Sequence, residues 1–171
     1  MECEKGLDIF SVENLDIVPI KDIPKGEQVP LDDIPLLIKL FKSMEDICKN
    51  KNGIGLSAVQ AGIPYMAFII FDAITKKPRH FVNCDYIPAS YKKISSTEGC
   101  LSLAGAEGKL REFVVKRYPK VGIVGKELIL EPSPHIVDID FLVDGQNAIV
   151  MQHEIDHQRG VLIKDLGYEK K

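Results

Sequence analysis

The sequence predicts an α+β fold: mostly antiparallel sheets packed around a central helix, with one further helix towards the N-terminus. Three observations carry that reading. An apolar stripe at helical spacing occupies roughly 33–50. A second stretch, roughly 145–158, is bracketed by a capping Asp144 and a terminating Gly160. Between them, from Arg111 to Val143, short apolar-rich segments follow one another, as antiparallel strands do.

Residues 1–30 read as irregular, because Pro19, Pro24, Gly26 and Pro30 interrupt any periodic pattern. The first helix follows. Leu37, Leu40, Phe41, Met44, Ile47 and Cys48 fall three or four residues apart, so they share one face. Asp32 or Asp33 can cap it, Pro35 suits its first turn, and the Lys-Asn-Lys-Asn-Gly run at 49–53 ends it. The stripe is core, with no cofactor role. Residues 65–71 are almost wholly apolar between Pro64 and Asp72, which predicts a buried strand. Residues 80–87 and 92–96 are weaker strand candidates. Four more are expected at 113–118, 120–124, 128–130 and 136–143. The last alternates Val137, Ile139, Phe141 and Val143 with Asp138, Asp140 and Leu142, as a strand covered on one side should. His80 and His135 are expected at the surface.

The chain has 171 residues, which suits one domain spanning 1–171. A net charge of −3 leaves no basic excess to neutralise phosphates, so direct nucleic-acid binding is not expected. Met1-Glu2-Cys3-Glu4 lacks the basic start of a secretory signal. No apolar run approaches the ~20 residues of a membrane span. Cys3, Cys48, Cys84 and Cys100 are too few for a disulfide framework in a chain this long. A reducing cytosol is expected, where a cysteine near a metal motif is a candidate ligand.

The motif is His153-Glu154-Ile155-Asp156-His157, an H-E-x-x-H box. On a helix, positions i and i+4 lie one above the other, so both imidazoles can hold one metal ion. The glutamate between them can reach a metal-activated water as general base. A catalytic site of this kind usually has three protein ligands and an open position. The H-E-x-x-H-x-x-G-x-x-H solution fails here, because Gly160 fits but Ile163 stands where the third histidine belongs. Downstream, only Asp165 and Glu169 offer carboxylates, and neither is placed to return to the metal. The third ligand is therefore sought upstream, where Cys100 in Glu98-Gly99-Cys100-Leu101-Ser102 is the best candidate. A further glycine-containing turn, 52–60, ends in the polar amide of Gln60. It is not a phosphate loop, since no Lys-Ser/Thr pair follows the glycines.

G-I-G-L-S-A-V-Q at 53–60, E-G-C-L-S at 98–102 and Q-H-E-I-D-H at 152–157 together resemble the three signature motifs of peptide deformylases, in the same order. The resemblance implies a hydrolase that removes the N-terminal formyl group from formyl-methionyl peptides during protein biosynthesis. It implies Cys100, His153 and His157 as metal ligands and Glu154 as general base and acid. Gln60 and the backbone N–H of Leu101 would stabilise the oxyanion. Ile54, Ile149 and Val150 would form the methionine slot, with Gly55 and Gly99 giving backbone contacts to the peptide. The implied cofactor is one divalent ion, Fe(II) in the cell, with zinc, nickel or cobalt able to replace it. Formylated nascent peptides, met at the ribosome, would be the partners, and a monomer is expected, with no membrane association. Glu98 and Asp156 are expected to support the ligands, paired with Arg111, Arg117 or Arg159.

Departures from the family pattern point to a divergent, C-terminally short member. It would act in the cytoplasm, the host's if virus-encoded, with an organelle left open. Ser57 replaces the usual alanine, and Leu103-Ala104-Gly105 lacks the usual proline. Two other readings compete: a zinc peptidase sharing only H-E-x-x-H, and a non-catalytic metal module. The second would need a fourth protein ligand and has no use for Glu154 or Gln60.

Overall fold

The computed structural model describes residues 15–18, 23–104 and 109–171. The readings that fall on residues 1–4, on Pro19 and on Gly105 lie outside them. Helix α1 is Ile34–Asn50. The Asp33 carboxylate accepts the N–H of Leu36 at its start, and a proline occupies its first turn. Strand β1 (Gly55–Ser57) leads into a short helical turn, Ala58–Ala61. Then come β2 (Ala67–Phe71), β3 (Pro78–Pro88), β4 (Ile94–Ala104), β5 (Leu110–Arg117), β6 (Lys120–Ile129) and β7 (His135–Asp144). Helix α2 (Gly145–Gln158), helix α3 (Ile163–Leu166) and β8 (Tyr168–Glu169) close the order.

The strands form two sheets. One runs β1-β2-β3-β6-β7 and the other β4-β5-β8, with every strand pairing antiparallel. The β4–β5 hairpin is thus an excursion: the chain leaves the larger sheet after β3 and returns beside it as β6. The larger sheet is covered on both faces. Leu40, Phe41 and Met44 of α1 pack with Leu56, Ile69 and Val82 on one side. Val150, Met151 and Ile155 of α2 pack with Phe68, Ile70, Phe81 and Ile123 on the other. That explains the apolar run at 65–71, because a strand buried on both faces has no polar side to show. Helix α2 turns its opposite side to the smaller sheet, and there the contacts are polar: His153 to Glu98 and His157 to Cys100.

Several expectations need correction. The weak strand at 92–96 is the start of a longer one that carries the whole Glu98–Ser102 motif. The pieces 120–124 and 128–130 are one strand, because β3 and β7 both pair with it across the gap. Asp144 sits at the cap position of α2 but its side chain caps nothing. His80 is buried rather than at the surface, 2.7 Å from Glu45 of α1 and against the Phe41 ring. Its strand start faces the helix, not water. The tail also forms α3 and β8, which no periodicity announced, since both are very short. Among the described residues no helix is long and apolar enough to cross a membrane.

Candidate metal centre and active site

Helix α2 supplies three of the site's groups within two turns. The His153 and His157 rings meet edge to face with centroids 4.5 Å apart. Each is oriented by a partner on its outer nitrogen. His157 Nδ1–H donates to the carbonyl of Val161 at 3.1 Å, and His153 Nδ1–H donates to Glu98 at 2.8 Å. With Nδ1 so engaged, Nε2 of each ring is the atom left to bind an ion. Strand β4 brings the sulfur. Gly99 pairs with Glu112 and Ala104 with Leu110, so β4 advances five residues while β5 advances two. The excess bulges out and carries Cys100 to the helix. Its Sγ lies 3.4 Å from His157 Nε2, and the ligand atoms of Cys100, His153 and His157 all lie within 4.8 Å of one another.

Behind the histidines runs an ion network. Arg117 donates to both oxygens of Glu98, at 2.9 and 3.0 Å, and to Asp156. Asp156 also accepts from the Tyr86 hydroxyl at 3.3 Å, and Arg159 stands 3.6 Å away. Arg117 is thus the principal partner of both carboxylates. Arg111 instead grips Glu169 across β5 and β8, and Asp165 accepts the N–H of Leu162, so both downstream carboxylates are engaged elsewhere. Burial pushes the Glu98 carboxyl up, but hydrogen bonds from His153 and Arg117 outweigh it and hold the group down at about 2.

Glu154 shares the buried face, and its Oε2 has no hydrogen-bond partner among the described residues. Burial is the main reason its pKa rises to about 7, against the opposing charge of His153. The β1 backbone presses close to it: a Cβ at Gly55 would stand 2.6 Å from Glu154 Oε1 and 2.9 Å from Val150 Cγ1. Only glycine fits there. Gln60 is aimed by its own turn. Its Oε1 accepts the Ser57 N–H at 2.9 Å, which leaves Nε2 to donate to Ser102 Oγ at 3.1 Å and face Cys100 Sγ at 3.5 Å.

A cavity of about 410 Å³ opens over these groups. Its lining brings together Ile54, Gly55, Gly99, Leu101, Ile149 and Val150, all named from sequence, with Gln60, Cys100, His153 and Glu154. His157 is outside the lining, in contact with Cys100. Asn52, Ser96, Thr97, Leu110 and Gln146 also line the cavity and were not anticipated. Ser96 and Thr97 were legible as neighbours of the Glu98 motif. Nothing in the sequence marks Leu110, because a register shift puts it there.

The donor set fits a divalent ion. Bonds of about 2.3 Å to sulfur and 2.0 Å to nitrogen at a tetrahedral angle span roughly 3.5 Å, close to the separation of Cys100 Sγ and His157 Nε2. The electrostatics agree. Burial opposes charge on His153, yet hydrogen bonds to Cys100 and Glu98 outweigh it and raise the imidazole to about 10, while burial and the charge of His153 push His157 well below its usual value. A metal ion bound here would displace the proton that these partners favour on His153.

Comparison with known proteins agrees in sequence and in fold. A family model described as polypeptide deformylase matches residues 24–170. The peptide deformylase of Borreliella burgdorferi is 33% identical over 136 residues, covering 76% of this chain and 72% of that protein. That of Syntrophomonas wolfei is 29% identical over 163 residues, covering 95% and 97%. Among solved structures, a probable peptide deformylase from Synechococcus phage S-SSM7 superposes with a TM-score of 0.76 at 26% identity, covering 90% of this chain and 99% of that one. The Synechococcus elongatus enzyme gives 0.73 at 26% identity, covering 91% and 81%.

Proposed function

The chain belongs to the peptide deformylase family, and from that membership we propose how its own residues carry the reaction. Peptide deformylases are metalloenzymes that remove the N-terminal formyl group from peptides, and this chain is a hydrolase of that kind. Cys100, His153 and His157 would hold the ion, Fe(II) in the cell, with zinc, nickel or cobalt able to take its place. When bound, it supplies Lewis-acid activation of water and of the formyl carbonyl.

The protein's part is positioning and proton transfer. The unpartnered Oε2 of Glu154 takes a proton from the attacking water and passes it to the departing amine nitrogen. The C–N bond of the formamide breaks, formate leaves with the water's oxygen, and the amine gains the proton. Gln60 Nε2 and the Leu101 amide stabilise the negative charge that gathers on the formyl oxygen. Loss of one such donor typically costs ~10²–10³ in rate. Ile149 and Val150 stand one helical turn before His153 and Glu154, the distance from a formyl carbon to a methionine side chain. With Ile54 they form an unbranched apolar slot, and the backbones at Gly55 and Gly99 align the peptide.

Glu98, Arg117 and Asp156 hold His153 in its tautomer. The acting unit is one domain, residues 1–171, working as a monomer in the cytoplasm on nascent chains as they leave the ribosome. The observation that carries this reading is the meeting of one sulfur and two imidazoles beside a buried carboxylate oxygen with no partner. The test is an anaerobic assay on formyl-Met-Ala-Ser with metal analysis of the same sample. Formate release from a preparation holding about one metal per chain is expected. No release from an iron-loaded preparation would overturn the reading. Cys100→Ala should lose the metal, and retention of the ion would favour a peptidase-like site instead.

A further inference from the structure

Two large apolar side chains stand in solvent at the edge of the cavity. Ile54, on the turn after α1, is 49% exposed, and Leu110, the first residue of β5, is 43% exposed. A single exposed leucine needs no explanation, but these two, contributed by separate elements, line one cavity. Leu110 reaches the rim through a local irregularity. The β4 bulge leaves it paired with Ala104, yet its side chain lies back over Gly99, with Cδ1 3.5 Å from where a Cβ would be. Gly99 has no side chain to fill that space, so Leu110 becomes a wall on the open side.

The reacting groups fix which part of a peptide meets this wall. Glu154, His153 and Cys100 are buried, and Ile149 and Val150 lie one helical turn from them. The first side chain after the formyl group is taken there. Successive side chains of an extended peptide point to opposite sides, with Cα atoms about 3.8 Å apart. The second side chain therefore turns away from the slot, towards the exposed rim. We propose that Leu110 is a specificity determinant for the residue that follows the formylated methionine, favouring an apolar side chain there.

This inference rests on the deformylase reading, so its test has two arms. The first measures kcat/KM on formyl-Met-Leu-Ser and formyl-Met-Gly-Ser for the metal-loaded wild type and for Leu110→Ser. Wild type should favour the leucine peptide about tenfold, the low end of what hydrophobic pockets discriminate, and the variant should show little preference, with Leu110→Met restoring most of it. The second arm measures calorimetric binding of the products Met-Leu-Ser and Met-Gly-Ser, which needs no turnover and should show the same preference and the same loss. A ratio unchanged in Leu110→Ser, or an equal fall for both peptides, overturns the proposal. Selective binding without formate release would sink the deformylase reading and leave this one standing. Failure of both products to bind a wild type that releases formate would overturn this proposal and leave the deformylase reading standing.

Discussion

Helices α1 and α2 flank opposite faces of the same sheet, and they bury opposite chemistry. Every buried residue of α1 is apolar: Leu36, Leu37, Leu40, Phe41, Met44, Ile47 and Cys48. Helix α2 is buried without interruption from Val150 to Gln158, and six of those residues are polar or charged. A buried ion costs several kcal/mol unless it is paired. The groups of α2 are held against that cost by residues from other elements: Glu98 and Cys100 of β4, Arg117 of β5 and Tyr86 of β3. The first helix contributes stability. The second draws on it to keep polar groups dry and fixed, and the proposed chemistry sits there.

That division can be broken at either helix. The largest effect is expected from Glu154→Gln, which keeps shape and removes the proposed proton carrier. Turnover should fall by ~10²–10⁴. Metal content should not change, since Glu154 is not a ligand, and the melting temperature should barely move. Turnover within tenfold of wild type would remove Glu154 from the mechanism. On α1 the outcome should invert. Leu40 is completely buried and stands eight residues before Cys48, whose sulfur touches the carbonyl of Gly55 at 3.5 Å. Leu40→Ala should cost about 2–5 kcal/mol of stability, read from denaturant unfolding. The kcat of the enzyme that remains folded should be unchanged. A large fall in kcat would show that α1 shapes the site as well as supporting it.

The two helices also differ in how they could be read. The stripe of α1 is a periodic signal, and Leu37 to Cys48 predicted its buried face directly. Helix α2 has no such stripe over its last nine residues, because every side is covered. It was legible only through its motif, and the motif names chemistry rather than packing. Cys100 was found by asking what two histidines lack. The fixed orientation of Gln60, the choice of Arg117 among three arginines to join Glu98 to Asp156, and the reach of Leu110 over Gly99 were not legible. Each depends on which residues of distant strands stand opposite one another. A three-residue excess in one strand decides that, and no local pattern encodes it. His80 was misplaced for the same reason: its partner Glu45 lies on α1, 35 positions away.

The smallest effect separates two glutamines on α2 itself. Gln152 is fully engaged: its Oε1 accepts the Tyr118 N–H at 3.0 Å, and its Nε2 donates to the carbonyls of Tyr118 and Ala148 at 2.8 and 2.9 Å. Gln158 is equally buried, yet neither Oε1 nor Nε2 has a partner among the described residues. An unsatisfied buried polar group costs about 1–3 kcal/mol, whereas an apolar group of similar shape carries no such cost. Gln158→Leu should therefore stabilise the protein by about 1 kcal/mol or more, and Gln152→Leu, which strands the Tyr118 backbone, should destabilise it. Urea unfolding of the two variants beside wild type reads both signs at once. Shifts of the same sign would mean that the Gln158 amide is satisfied after all, and that the polar burial of α2 is complete along its whole length.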